Sequence, residues 1–156
     1  MLEINNTTKN KLNLKIIELI VEAFLIKYHK KKYIVSLAVI GGKKMRNLNR
    51  DYRGVDRTTD VLSFAPDKNR PDKILDLGEI VINFQESRKI YKYAAMFQEL
   101  GLDIKNRKKI SRFKVEEYIF YFLLVHGLLH LAGYNDEEEK GRREMVRRGY
   151  DFLNSL

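Results

Sequence analysis

The stretch from Tyr118 to Gly133, YIFYFLLVHGLLHLAG, constrains the fold more than any other part of the chain. Its opening run, Tyr118 to Val125, is wholly aromatic and aliphatic. A helix built from such a run has no polar face and must be buried nearly all round. Two of the three histidines follow at once, His126 and His130. Side chains four residues apart lie one above the other on a helix. The two imidazoles therefore point the same way and can share one metal ion. That spacing, and the length of the segment, favour a helix over a strand. Gly133 is placed to end the helix, because glycine accepts the left-handed backbone that helix C-termini often need. The chain then turns back and delivers Asp136 as a third candidate ligand. Two imidazoles and one carboxylate leave a tetrahedral ion one open position, as in catalytic sites.

Histidines at this spacing also occur in cores, where they only hydrogen-bond locally. Asp136 has a second reading as the N-cap of the next helix, since Asp136-x-x-Glu139 fits a capping box. Asn135-x-x-Glu138 fits equally well and would leave Asp136 for the metal. The residues alone leave both readings open.

The chain contains no cysteine, so any metal must be held by His, Asp, Glu or water. Its net charge is +9, from 30 Lys+Arg against 21 Asp+Glu. That balance favours a polyanionic partner, most simply nucleic acid. The frequent Lys, Ile and Asn also fit the composition drift of an AT-rich genome. Met1 to Lys15 is polar and does not read as a signal peptide. Tyr118 to Tyr134 is nearly long enough for a membrane span, but its histidines and glycines argue against one. The expectation is a cytoplasmic protein with no membrane partner, folding as one domain over residues 1–156. A chain of this length buries about 70% of its unfolded surface.

Residues 2 to 8 suggest a short edge strand. Leu12 to Tyr28 carries a wide apolar stripe at helical spacing, and His29 follows it among lysines, with no chemistry assigned. Tyr33 to Ile40 reads as a strand stopped by Gly41-Gly42, and Lys43 to Tyr52 as a short helix ended by Gly54. Thr58 to Pro66 and Leu77 to Asn83 are further strands, separated by a polar, mobile-looking loop from Asp67 to Asp76. Asn83-x-x-Glu86 is a capping box for a helix running to Leu100, with Gly101 as its stop. Asp103 to Arg112 is a basic loop suited to phosphates or simply to solvent. Ser111 can cap the central helix. The last helix, Asp136 to Leu153, starts acidic and continues basic, which matches the helix dipole. The pattern predicts an α+β fold: a small mixed sheet of about four strands flanked by helices, with a central buried helix carrying the His-x-x-x-His motif.

The stretch His126-Gly127-x-Leu129-His130-Leu131-x-Gly133-Tyr134 resembles the signature of the YbeY family of bacterial endoribonucleases. Asn135 and Asp136 stand where that family has Asp and a third His. Leu48-Asn49-x-x-Tyr52-Arg53-Gly54-x-Asp56-x-x-Thr59-Asp60-Val61-Leu62-Ser63-Phe64 resembles its second signature. Leu77-Gly78-Glu79-Ile80-Val81-Ile82 resembles its third, with Glu79 in place of the usual Asp. The resemblance implies a metal at the base of a positively charged cleft. It also implies single-strand-specific RNA cleavage in maturation of the small-subunit ribosomal RNA 3′ end, and a role in ribosome quality control. The implied partners are a ribosomal RNA precursor and the ribosome or small-subunit proteins. The expected ligands are His126, His130 and Asp136. The expected cofactor is one divalent ion, zinc foremost, because His-His-carboxylate sets hold zinc well, while the carboxylate in place of imidazole moves preference toward oxygen-loving ions.

Arg53 matches the family's functional arginine and is the expected catalytic residue, holding a phosphate through two parallel hydrogen bonds. Its alternative is a salt bridge to Asp56 or Asp60. Water activated on the metal and the RNA 2′-hydroxyl stay open as nucleophiles. Two rival functions have different signatures. An RNA- or ribosome-binding assembly factor with weak or lost nuclease activity would lack a working third ligand. A zinc metalloprotease would need His-Glu-x-x-His, and Gly127 occupies the position of that glutamate.

Overall fold

The computed structural model describes residues 1–67, 75–102, 104 and 113–156, with side chains at all of these but 115 and 116. Four strands, β1 (Leu2–Asn6), β2 (Ile34–Ile40), β3 (Val61–Phe64) and β4 (Asp76–Asn83), form one sheet in the order β1-β2-β4-β3. β1 and β4 run parallel to β2, and β3 is antiparallel to β4. The sheet is therefore mixed, and the α+β expectation holds. Among the described residues six helices accompany it: α1 (Leu14–Lys27), α2 (Gly42–Arg53), α3 (Phe84–Ser87), α4 (Ile90–Glu99), α5 (Val115–Leu131) and α6 (Glu139–Asn154).

Side-chain alternation divides the sheet between two cores. Val35, Leu37, Val39, Ile80 and Ile82 join the main core with α1, α5 and α6. Ala38, Ile40, Leu62 and Val81 face the other way and pack with Met45 of α2. α5 is the centre of the main core and touches α1, α3, α4, α6, β3 and β4. No residue from Tyr118 to Val125 is more than 4% exposed, as expected of a helix without a polar face.

Several boundaries differ from the sequence reading. The helix expected from Asn83 to Leu100 is two helices. Asn83 does cap α3, accepting from the Gln85 amide at 3.2 Å. Glu86 does not reach back to complete the capping box. It is drawn to Lys89 (2.6 Å) and Lys92 (3.3 Å), and the helix breaks between Ser87 and Ile90. α6 starts at Glu139, three residues later than expected, with Glu138 at its N-cap. Neither Asp136 nor Asn135 caps it; Asn135 Oδ1 instead accepts from the Glu137 amide at 2.8 Å, closing a tight turn before the helix. α5 has Lys114 at its N-cap. Ser111, the basic loop from 103 to 112 (apart from Ile104) and most of the loop from 67 to 76 lie outside the described residues. His29, assigned no chemistry, has φ 56°, and its amide and that of Lys30 close the end of α1 on Ile26 O and Leu25 O.

Candidate metal centre

His126 and His130 lie on the last turns of α5. The helix then stops in a Schellman turn: Gly133 has φ 102°, its amide donates to His130 O, and the Tyr134 amide donates to Leu129 O. This turn sends the chain back over the histidines. With Asn135 holding the next bend, the Asp136 carboxylate faces both rings. His126 Nε2 lies 3.2 Å from His130 Nε2 and 3.3 Å from Asp136 Oδ2. His130 Nε2 lies 3.6 Å from Asp136 Oδ1. Ligands bonded at about 2.1 Å to one tetrahedral ion sit about 3.4 Å apart along the edges of the tetrahedron. The two imidazole nitrogens fit such an edge, each faces one oxygen of the Asp136 carboxylate, and one ligand atom from each of the three residues lies within 4.8 Å of the others, close enough for one divalent ion. Among the described residues this is the one such cluster of His, Asp and Glu.

Protonation favours the same use. His130 Nδ1 lies 3.2 Å from Tyr134 O, and a carbonyl can only accept. The ring proton therefore sits on Nδ1, and the Nε2 lone pair faces the cluster. Burial, followed by the neighbouring His126 ring, pushes His130 below the ordinary histidine value, which keeps it neutral near pH 7. The Asp136 carboxyl is pulled down to about 2, chiefly by its hydrogen bond with His126, against the opposing effect of burial. It is an anion at any working pH. His126 Nδ1 is buried without a hydrogen-bond partner among the described residues.

The glycine between the histidines has a packing cause. A Cβ on Gly127 would sit 2.8 Å from Ile80 Cγ2 and 3.1 Å from both Ile80 Cγ1 and Ser63 Oγ. α5 rests on β3 and β4 at this point, and no larger side chain fits. The glutamate that a metalloprotease would carry here has no space.

The cluster opens on a cleft of about 810 Å³ whose opposite wall includes Tyr52 and Arg53 of α2 and the chain from Thr59 to Phe64. That wall is heavily braced. Asn49 Nδ2 donates to Arg57 O at 2.8 Å, and Asn83 Nδ2 donates to Thr58 Oγ1 (2.9 Å) and Thr59 O (3.1 Å). Asp56 takes a two-pronged pair from Arg46, both bonds 2.8 Å. Asp60 accepts from the Tyr93 hydroxyl at 2.6 Å and from the Val61 amide at 2.9 Å, with Lys92 at 3.5 Å. Both acids proposed as salt-bridge partners for Arg53 are thus engaged elsewhere. Arg53 is exposed in the cleft and makes no ion pair among the described residues. Sequence reasoning missed the roles of Tyr134 O, Tyr93 and Asn83. The first is a backbone atom, invisible to residue type; the others act across long sequence separations.

A family model described as Endoribonuclease YbeY matches residues 3–156. The chain belongs to the endoribonuclease YbeY family. It is 38% identical over 120 residues to the endoribonuclease YbeY of Desulfitobacterium hafniense, a match covering 72% of this chain and 65% of that protein. It is 30% identical over 146 residues to that of Clostridioides difficile, covering 91% and 84%. It is 37% identical over 124 residues to that of Mycoplasmopsis synoviae, covering 76% and 68%. The solution structure of TM1509 from Thermotoga maritima has the same fold, with a TM-score of 0.54 at 24% identity over 98% of this chain and 87% of that one. Within the motif from Leu48 to Phe64, Asn49, Asp56 and Asp60 brace the chain beside the cleft, and Arg53 lines its interior.

Proposed function

We propose that this chain is a metal-dependent endoribonuclease that cuts single-stranded RNA, with His126, His130 and Asp136 as ligands and Arg53 as the catalytic arginine. The observation that carries the proposal is the convergence of His126, His130 and Asp136, with ligand atoms within 4.8 Å of one another, in a cleft that Arg53 also lines without an ion pair among the described residues. A bound divalent ion, zinc foremost, would polarise a phosphoryl oxygen and acidify water. Asp136 and the two neutral rings supply one negative charge, so a divalent ion keeps a net positive charge to attract a phosphodiester. Arg53 adds two parallel N–H donors to the phosphate and stabilises the charge that builds on its oxygens as the P–O bond breaks. The braced wall holds the backbone around Arg53 rigid, so its donors need little reorganisation. The substrate is ribosomal RNA precursor near the small-subunit 3′ end, and the setting is cytoplasmic ribosome maturation and quality control. The net charge of +9 suits an RNA partner. Among the described residues, no helix is long and apolar enough to cross a membrane.

The test is cleavage of a single-stranded precursor fragment by untagged protein, with metal content measured in parallel. Wild type is expected to hold about one divalent ion per chain and to cleave. Asp136→Ala should lose both properties. Arg53→Ala should keep fold and metal and lose about 100-fold or more in rate. Cleavage that survives complete metal removal would overturn the proposal. Binding of RNA without cleavage would favour the assembly-factor function.

A further inference from the structure

The turn that carries Asp136 rests on the first residues of α6. A Cβ on Gly141, the third residue of that helix, would collide with the Asn135 carbonyl oxygen and lie 3.4 Å from Asn135 C and 3.8 Å from Asp136 Cα. It would sit about 1 Å inside ordinary contact with that oxygen. Glycine is a poor helix former, and here its bare backbone lets the turn settle against the helix. Met145, Val146, Tyr150, Phe152 and Leu153 bury the rest of α6, whereas Asn135 is exposed. A side chain at Gly141 would therefore displace the turn before it displaced the helix.

Seven residues on, Arg148 lies on the same face of α6, with Glu144 between the two. Glu144 Oε1 accepts from Arg148 Nε at 2.8 Å and lies 2.7 Å from Nη2. The guanidinium so held sits over the Tyr134 ring, 4.9 Å from its centroid, within reach of a cation–π contact. From α1, Tyr28 meets the same ring edge-on at 6.1 Å and 86°, and itself stacks on buried Phe24 at 4.2 Å. Two helices thus grip the Tyr134 ring, and the carbonyl of that residue is the acceptor facing His130 Nδ1. We propose that the Gly141–Glu144–Arg148 face of α6 is a mould for the metal site: Gly141 sets where the Asp136 turn comes to rest, and Arg148, aimed by Glu144, holds Tyr134 so that its carbonyl directs His130. All three are positioning residues, and the inference rests on the metal site proposed above. Metal–ligand distances tolerate about 0.2 Å, so displacing the turn by about 1 Å is felt in affinity.

Zinc affinity is measured by competition with a chromophoric chelator on the full chain and on its Gly141→Ala, Arg148→Ala and Leu153→Val variants, with urea unfolding of the metal-free proteins alongside. Leu153 is buried near the other end of α6, so Leu153→Val should lower the unfolding midpoint and leave zinc affinity unchanged. Gly141→Ala and Arg148→Ala should each weaken zinc binding by about 10–100-fold, as the loss of a ligand-orienting group does. Nitrogen NMR of the metal-free imidazoles should show His130 protonated on Nδ1 alone in wild type and as a mixture of tautomers in Arg148→Ala. Wild-type zinc affinity in Gly141→Ala or Arg148→Ala, an equal loss in Leu153→Val, or an unaltered tautomer in Arg148→Ala overturns the mould while leaving the metal site in place. Failure of wild type itself to bind zinc or another divalent ion overturns the metal site first and is seen before any variant is made.

Discussion

Gly127→Ala tests whether helix–sheet packing sets the position of the metal ligands. At an exposed helix position this change stabilises by about 1 kcal/mol, through helix propensity and reduced freedom of the unfolded chain. Here the new methyl would lie 2.8 Å from Ile80 Cγ2, with Ile80 Cγ1 and Ser63 Oγ at 3.1 Å. Carbon atoms in good contact are about 3.5–4.0 Å apart, so α5 or β4 must move by up to about 1 Å. Ile80 is fully buried and β-branched, hence stiff, and cannot swing aside. Overpacking of this kind costs about 1–3 kcal/mol, and three simultaneous close approaches place it in the upper half of that range. Repulsion therefore outweighs propensity, for a net loss of about 1–2 kcal/mol, or about 2–8 °C in Tm for a chain of this size. Because His126 adjoins Gly127, metal affinity should fall as well. The assay is a double-mutant cycle with Ile80→Ala, read by urea unfolding. Ile80→Ala removes the methyl that collides, so it should cost less in the Gly127→Ala background than in wild type, with a coupling of at least about 0.5 kcal/mol. A rise in Tm for Gly127→Ala alone, or strict additivity, would refute the packing account.

Two further outcomes concern protons. An ion binds neutral imidazole, so metal affinity should weaken as pH falls. Asp136, at about 2, stays ionised throughout, and His130 lies below 6.5, so its part of the acid loss should fall below pH 6.5 in a metal-competition titration. The Asp60 carboxyl is raised by burial but lowered further by the Tyr93 hydroxyl, Lys92 and the Val61 amide, and ends below 3.8. Its stabilising contribution is therefore present above the unfolded value of about 3.9 and is lost as pH falls through the lower folded value. Tyr93→Phe should cost about 1.5–3 kcal/mol at pH 7 by urea unfolding. That difference should shrink at pH 2–3, and a constant difference across pH would show that Tyr93 acts only by packing.

The sequence by itself determined the helix that carries the histidines and the type of its end. An all-apolar run has one stable environment, and a glycine after the last periodic residue has one common use. Short runs rich in Val, Ile and Leu, bounded by glycine, proline or polar residues, likewise located the strands of the sheet. These are local properties, expressed in the order of residues. The helix break after Ser87 was not legible, because it depends on the competition of Lys89 and Lys92 for Glu86. The cap of α6 was not legible either: Asn135 and Asp136 offer the same chemistry to a helix N-terminus, and only the path of the chain after Gly133 separates them. Arg53 shows the same division. Its identity made it a phosphate candidate, yet two acids within seven residues were equally plausible partners. Tertiary structure decided the matter by giving Asp56 to Arg46 and Asp60 to Tyr93 and Lys92. Pairing across a fold is settled by distances that sequence separation does not encode, so the chemistry of each site residue was visible in the chain and its partner was not.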